Sequence, residues 1–179
     1  MIKSFIKRHF LALVMIVILT PLIFLSLYNI LTKEQNHFSY FVTGEIDEAK
    51  LNESFNKTGT ILPTKITCLS YHDQNYADLL QTSGLLDADI LIIPLAEVEN
   101  YKTHLANSFA QLDPIFQDLD GEYQLLQEDG HIYGLIITSS SIWQNDAEDP
   151  CLLVINLHTM HYETAIHVAK QLLIDHLIQ

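Results

Sequence analysis

The chain has 179 residues, 22 acidic against nine basic side chains, and a formal charge of −13. That length bounds the count at one compact domain plus an anchor. The acidity disfavours nucleic acid as a partner, because such binding rests on Lys and Arg neutralising phosphates.

Residues 10–32 carry no charge and are mostly Leu, Ile, Val, Phe and Met. About 20 apolar residues are what a helix needs to cross the hydrocarbon core, so a transmembrane helix is expected over 10–32. Lys3, Lys7 and Arg8 precede it. Basic flanks favour the cytoplasmic side, which leaves residues 1–9 in the cytoplasm and exports the rest across the cell membrane. A cleaved signal peptide would have a shorter apolar core and a small-residue cleavage site. "LSLYNILTKEQ" offers no such site, so a retained single-pass anchor is the expectation.

From Lys33 onward the chain holds all 22 acids, six lysines and no arginine, a formal charge of −16. The lack of arginine removes the side chain best suited to bidentate capture of carboxylate or phosphate. Residues 33–37 read as a linker and 38–179 as an extracytoplasmic domain. "FSYFVTG" predicts a strand, and "IDEAKLNESFNKTG" a helix with Leu51 and Phe55 on one stripe and Gly59 as its stop. "KITCLSY" predicts a second strand and "NYADLLQTSG" a short helix. "ADILIIP" is apolar without alternation, which suits a strand covered on both faces. "LAEVENYKTHL" and "LDPIFQDL" show helical spacing.

After Gly121 the pattern changes. "EYQLLQEDGHIYGLIITSS" predicts two strands joined through Asp129 and Gly130, a pair that tolerates the positive φ of a tight hairpin. "CLLVINL" predicts another strand. The end of the chain places Ala165, Val168, Ala169, Leu172, Leu173 and His176 on one helical face. The fold class expected from this order is α/β: a single three-layer lobe with a mostly parallel sheet plus a hairpin.

The order of these segments resembles the extracellular solute-binding proteins of ABC transporters, the periplasmic-binding type. "FVTGEIDEAKLNESFNKTG" with "KITCLSY" is similar to that family's opening. "NYADLLQTSGLLDADILIIPLAEVENY" is similar to its helix and "aDI" strand unit, and "DGHIYGLIITSS" to the strand that heads toward the second lobe. "INLHTMHYETAIHVAKQLLI" is similar to its closing strand and helix. Two departures stand out. Ile136 occupies the place of the family's proline, and the chain is about half the length of a two-lobed member. The resemblance therefore implies one lobe without its partner, and with it a solute-binding or transporter-accessory role.

In open α/β sheets, ligands sit outside the carboxyl ends of the strands. The candidate ligand-binding residues are accordingly Glu45, Tyr71, His72 and Asp73. Tyr133 and Trp143 are added as aromatic surface near the exposed rim of the hairpin strand, with partial core as the competing reading of Trp143. The spacing of His158, His161, His167 and His176 does not suggest the converging ligands that zinc requires, and no metal or cofactor is expected. Thr138 to Ser141 supplies hydroxyls, but no G-x-S-x-G elbow surrounds them, and catalysis is not expected. Cys68 and Cys151 are compatible with a disulfide in an exported domain or with two free thiols. The functional expectation is a membrane-anchored, non-catalytic binding or accessory domain that takes a small solute or docks on an ABC transporter or sensor subunit. The alternative is an interaction or assembly module that binds no small molecule.

Overall fold

The computed structural model describes residues 19–24, 37–99, 102–117, 123–137, 140–144 and 150–177. The chain divides into two units, 1–37 and 38–179. In the first, residues 19–24 are helical, and the remainder of the expected span 10–32 lies outside the described residues. Among the described residues no helix is long and apolar enough to cross a membrane.

The second unit is built on a six-stranded mixed sheet. Its strands are β1 (Phe38–Thr43), β3 (Thr64–Leu69), β4 (Ile90–Pro94), β5 (Leu125–Glu128), β6 (His131–Ile137) and β8 (Cys151–Ile155), in the spatial order β3-β1-β4-β8-β6-β5. β3, β1 and β4 are mutually parallel, whereas β8 is antiparallel to both β4 and β6, and β5 is antiparallel to β6. Four strands thus run one way. The parallel half is the βαβ half, and the antiparallel half is the hairpin with the returning strand. Two short strands, β2 (Glu45–Ile46) and β7 (Trp143–Gln144), form a separate antiparallel pair.

Side chains alternate across the central strands, so each face of the sheet needs its own cover. Phe38, Tyr40, Val42, Ile90, Ile92, Leu153 and Ile155 point to one face. There they meet Leu51 and Phe55 of α1 (Glu48–Lys57), Ile115 of α4 (Asp113–Phe116), and Ala165, Val168, Ala169 and Leu172 of α5 (Tyr162–Leu172). Phe41, Leu91, Ile93, Leu152 and Val154 point to the other face. They are covered by Tyr76 of α2 (Tyr76–Leu79), Leu80 of the π-helical turn Leu80–Gly84, Val98 of α3 (Leu95–Glu99) and Leu105 of the 3₁₀ segment Lys102–Asn107. This is the three-layer arrangement expected from the order of the segments.

Local signals explain the boundaries. The side chain of Asp47 accepts from the N–H groups of Ala49 and Lys50 and so caps α1. Gly59, at φ +74°, ends it in the left-handed conformation. The β5–β6 turn has Asp129 at φ 51° and Gly130 at φ 84°, the paired positive angles of a type I′ hairpin. Of the expected helices over 95–105 and 112–119, residues 100–101 and 118–119 lie outside the described residues. Among the described residues the first gives α3 and a 3₁₀ segment, and the second the single turn α4.

A register shift between Leu126 and Gln127 leaves Tyr133 as the extra residue of a β-bulge in β6. The bulge breaks the alternation there: Ile132 packs on the first face and Tyr133 on the second. Tyr133 is therefore buried, at 4 % exposure, and the expectation that it lies on an exposed rim is corrected. The disulfide option is corrected too. The two cysteines are not bonded to each other: Cys68 is exposed on β3 and Cys151 is buried on β8. Two strands lie between them, so the spacing of adjacent strands, about 4.8 Å, puts their Cα atoms well beyond the roughly 7 Å limit for a bridge.

Two substitutions test this packing. A Cβ added at Gly134 would lie 2.8 Å from Cγ and Cδ2 of fully buried Leu152. Gly134→Ala is expected to destabilise by about 1–3 kcal/mol, the usual cost of overpacking, measured by denaturant unfolding. Among the described residues the buried Tyr40 hydroxyl has no hydrogen-bond partner; burial, and after it the nearby Asp89 carboxylate, pushes its pKa far up. Tyr40→Phe is expected to leave stability unchanged or raise it by about 1 kcal/mol, since it removes an unsatisfied group. A clear loss of stability would mean that the hydroxyl has a partner in solution.

Candidate functional site

The chain runs from β1 through α1 to β3 on one side and then crosses to β4 on the other side of β1. α1 and α2 consequently lie on opposite faces. The carboxyl ends of β1 and β4 are thus a topological switch point, where an open α/β sheet leaves a crevice. β6 ends at this same edge and β8 begins there, next to β4 (Pro94 pairs with Cys151). Residues 138–150 connect them, and their described part, 140–144, forms a strap across the carboxyl end of β1.

The strap fills the crevice. Trp143 is 5 % exposed, and its Nε1–H donates to the Thr43 carbonyl at 2.8 Å. The Thr43 hydroxyl is in turn hydrogen-bonded to the Tyr76 hydroxyl at 2.8 Å, in buried surroundings. Burial raises the Tyr76 pKa despite that bond. Beneath Trp143 an apolar void of about 10 Å³ remains, at the lower limit for one water. The rim placement of Trp143 is corrected in favour of its core reading: the indole packs inward, lining the same void as Ile92, Leu153 and Leu172, and its N–H finds a carbonyl acceptor.

Outside the strap lies an open cleft of about 400 Å³ lined by Glu45, Ile46, Asp47, Lys50 and strap residues 140–144. Lys50 Nζ stands 3.6 Å from Asp47 Oδ2 and donates to the Ser141 carbonyl at 3.3 Å. The backbone N–H of Lys50, first among several hydrogen bonds, holds the Asp47 carboxyl below its ordinary range. Glu45 and Asp47 thus present two carboxylates beside one cation and the hydroxyls of Ser140 and Ser141.

The strap is latched at its start. Ser141 Oγ is 3.1 Å from His176 Nδ1, and His176 Nε2 is 3.1 Å from Ser54 Oγ. Ser54 Oγ donates to Asp175 Oδ2 at 2.8 Å. A hydroxyl has one proton, so Ser54 must accept from the Nε2–H of His176. In the neutral ring Nδ1 then carries no proton and accepts from Ser141. Asp175 also receives Lys57 Nζ at 3.0 Å and Gln171 Nε2 at 2.9 Å. Burial works to raise the Asp175 pKa, but the bonds from Lys57, Gln171 and Ser54 outweigh it and hold the carboxyl below its ordinary value.

A serine facing an unprotonated imidazole nitrogen is the beginning of a nucleophile, but acyl transfer also needs free donors aimed at the developing oxyanion. The neighbouring N–H groups are committed. That of Ser141 goes to the His176 carbonyl, that of Ile142 to Ser140 Oγ, and that of Asp47 to the Ile142 carbonyl. The network acts as a clamp that ties the strap to α1 and to the π-helical turn after α5.

The six residues singled out in the sequence do not converge. Glu45 and Trp143 belong to the strap region, one lining the cleft and the other sealing its floor. Tyr71, His72 and Asp73 form the turn after β3. There Asp73 accepts from the N–H of Asn75, and Tyr71 donates to Glu97 at 3.3 Å while stacking edge-on against Tyr76. Tyr133 lies in the core of the second face. Asp47, Lys50, Ser54, Asp175 and His176 were not singled out as ligand contacts. His176 was read only as part of the last helical face and of the histidine set. Among the described residues no group of three or more His, Cys, Asp or Glu side chains is gathered as a metal site requires.

Comparison with protein-family models, with curated proteins and with solved structures finds no match to this chain.

Asp175→Asn is expected to cost about 1–3 kcal/mol through lost charged hydrogen bonds. It should also shift the emission of Trp143, the chain's single tryptophan, to longer wavelength as the strap loosens. Acidification has the same sign. Because the folded carboxyl lies below its ordinary 3.8, the unfolded chain binds more protons in that window, and Asp175's contribution, present above it, is lost as pH falls through the folded value. A variant with unchanged emission and an unchanged acid limb would show that the latch does not hold the strap.

Proposed function

We propose that this chain is a membrane-anchored extracytoplasmic domain similar to one lobe of a solute-binding protein, with a non-catalytic role as a ligand-binding or accessory subunit. In this reading residues 10–32 are a single-pass anchor in the cell membrane, the N-terminus is cytoplasmic, and the companion is an ABC transporter or sensor subunit. The observation that carries it is the path of the chain at the carboxyl edge of the sheet. β6 leaves the lobe and β8 returns beside it at one edge, with a strap where a two-lobed binder would insert its second lobe. A two-lobed binder closes around its ligand by hinge motion. A single lobe offers an open surface, so the ligand it holds is small, polar and weakly bound. Two carboxylates beside Ser140 and Ser141 suit a solute carrying an ammonium group.

The test is thermal unfolding of the full chain in mild detergent against amino acids, polyamines, sugars and short peptides. A ligand at 100 times its Kd adds about 2.7 kcal/mol, a shift of several degrees. The expected result is a shift with ammonium-bearing solutes that is reduced by Glu45→Gln. A cooperative melt that no compound shifts would favour the second reading, an interaction module that binds no small molecule. That reading has its own support in the inward-packed Trp143, which already occupies the crevice.

A further inference from the structure

Five large apolar side chains of the unit 38–179 are exposed among the described residues: Ile61, Leu86, Leu157, Met160 and Ile174. The first four share one edge of the sheet, the end at which β1 begins. Ile61 lies in the loop that enters β3, and Pro63 of that loop accepts from the N–H of Phe38 at 2.8 Å. Leu86 lies in the loop that enters β4, while Leu157 and Met160 follow the end of antiparallel β8. Their exposures are 97, 76, 41 and 71 % in chain order.

These loops are built rather than loose. Asp89, 5 % exposed, accepts from the N–H and hydroxyl of Ser39 and from the hydroxyl of Thr159. Asn156 donates its N–H to the Asp89 carbonyl and its side-chain amide to the Leu85 carbonyl. The loop 85–89 and the turn 156–160 are therefore stapled to each other and to β1. The carboxylate and its donors hold this loop and turn in place, with Leu86, Leu157 and Met160 exposed on them.

We propose that this edge docks on the surface of a lipid bilayer, with Ile61, Leu86, Leu157 and Met160 seated among the head groups. The occupant follows from the chain itself. The uncharged run 10–32 ends five residues before β1, and five residues reach about 18 Å at most. The proposal rests on the anchored reading of that run. Given the anchor, the edge is held at high effective concentration next to the membrane, and weak apolar contact suffices to seat it. Docking by this edge leaves the strap and its cleft at the other end of the sheet, about a strand length, or 20 Å for six residues, away.

The test uses the full chain in phosphatidylcholine vesicles, carrying an environment-sensitive fluorophore at one introduced cysteine, with Cys68→Ser as background. Labels go at position 86 or 160 on this edge, and at 144 or 174 on the other. Position 174 controls for an apolar site far from the proposed contact. The expected result is blue-shifted emission at 86 and 160, quenched several-fold more by head-group spin-labelled lipid than at 144 and 174. Equal quenching at all four positions would overturn the proposal. So would a blue shift at 86 and 160 that depends on protein density and not on quencher lipid, which would assign the edge to a second copy. Flotation of the same vesicles after an alkaline wash separates the two claims. Chain retained without quenching defeats only the docking edge, and chain lost defeats the anchor together with it.

Discussion

Strand β8 is the constraint on which the other features depend. It inserts between β4 and β6 and is antiparallel to both, and every residue from Cys151 to Ile155 is buried. A strand in that place has helices over both faces, so it must be apolar on both. "CLLVI" is a run of that kind. Once β8 lies there, β6 has to leave and β8 has to enter at the same edge, and the described residues 140–144 of their connection reach the carboxyl end of β1, where Trp143 bonds the Thr43 carbonyl. The buried indole and the cleft both lie on that connection.

The strap turns a general property of α/β sheets into a particular surface. The crevice at a switch point is usually open to a ligand. Here the Trp143 indole occupies it, bonded to the Thr43 carbonyl, and the polar groups that remain are displaced outward onto Glu45, Asp47 and Lys50. The clamp of Ser141, His176, Ser54 and Asp175 fixes the start of the strap with two hydrogen bonds to the His176 ring, one from Ser54 to the Asp175 carboxylate, and one ion pair. Half-exposed ion pairs alone contribute little. The buried Ser54 hydroxyl matters more, because it would be left unsatisfied if the clamp opened.

The two ends of the sheet therefore differ in chemistry. At the carboxyl end the apolar group is turned inward and the polar groups face out. At the amino end the polar groups of Asp89, Ser39, Thr159 and Asn156 are turned inward, and leucine and methionine face out. A polarity of this kind suits a domain with one end at a membrane and the other toward solutes or partners.

What the amino-acid sequence by itself determined was local and periodic. The unbroken apolar run of β4, the Asp129–Gly130 turn, the Gly59 stop and the buried stripe of α5 follow from side-chain period and backbone preference, and each falls where the residues place it. Of the candidate site, Glu45 was legible because it follows the end of a strand. What only the tertiary structure decided was long-range. Whether Trp143 points in or out depends on a carbonyl one hundred residues earlier. Tyr133 is turned into the core by a bulge that no composition announces. Ser54 and His176 meet across 122 positions. Periodicity reports which face of an element is apolar, but pairings between distant polar groups are set by how the chain crosses the sheet, and that path is fixed only when the whole core packs.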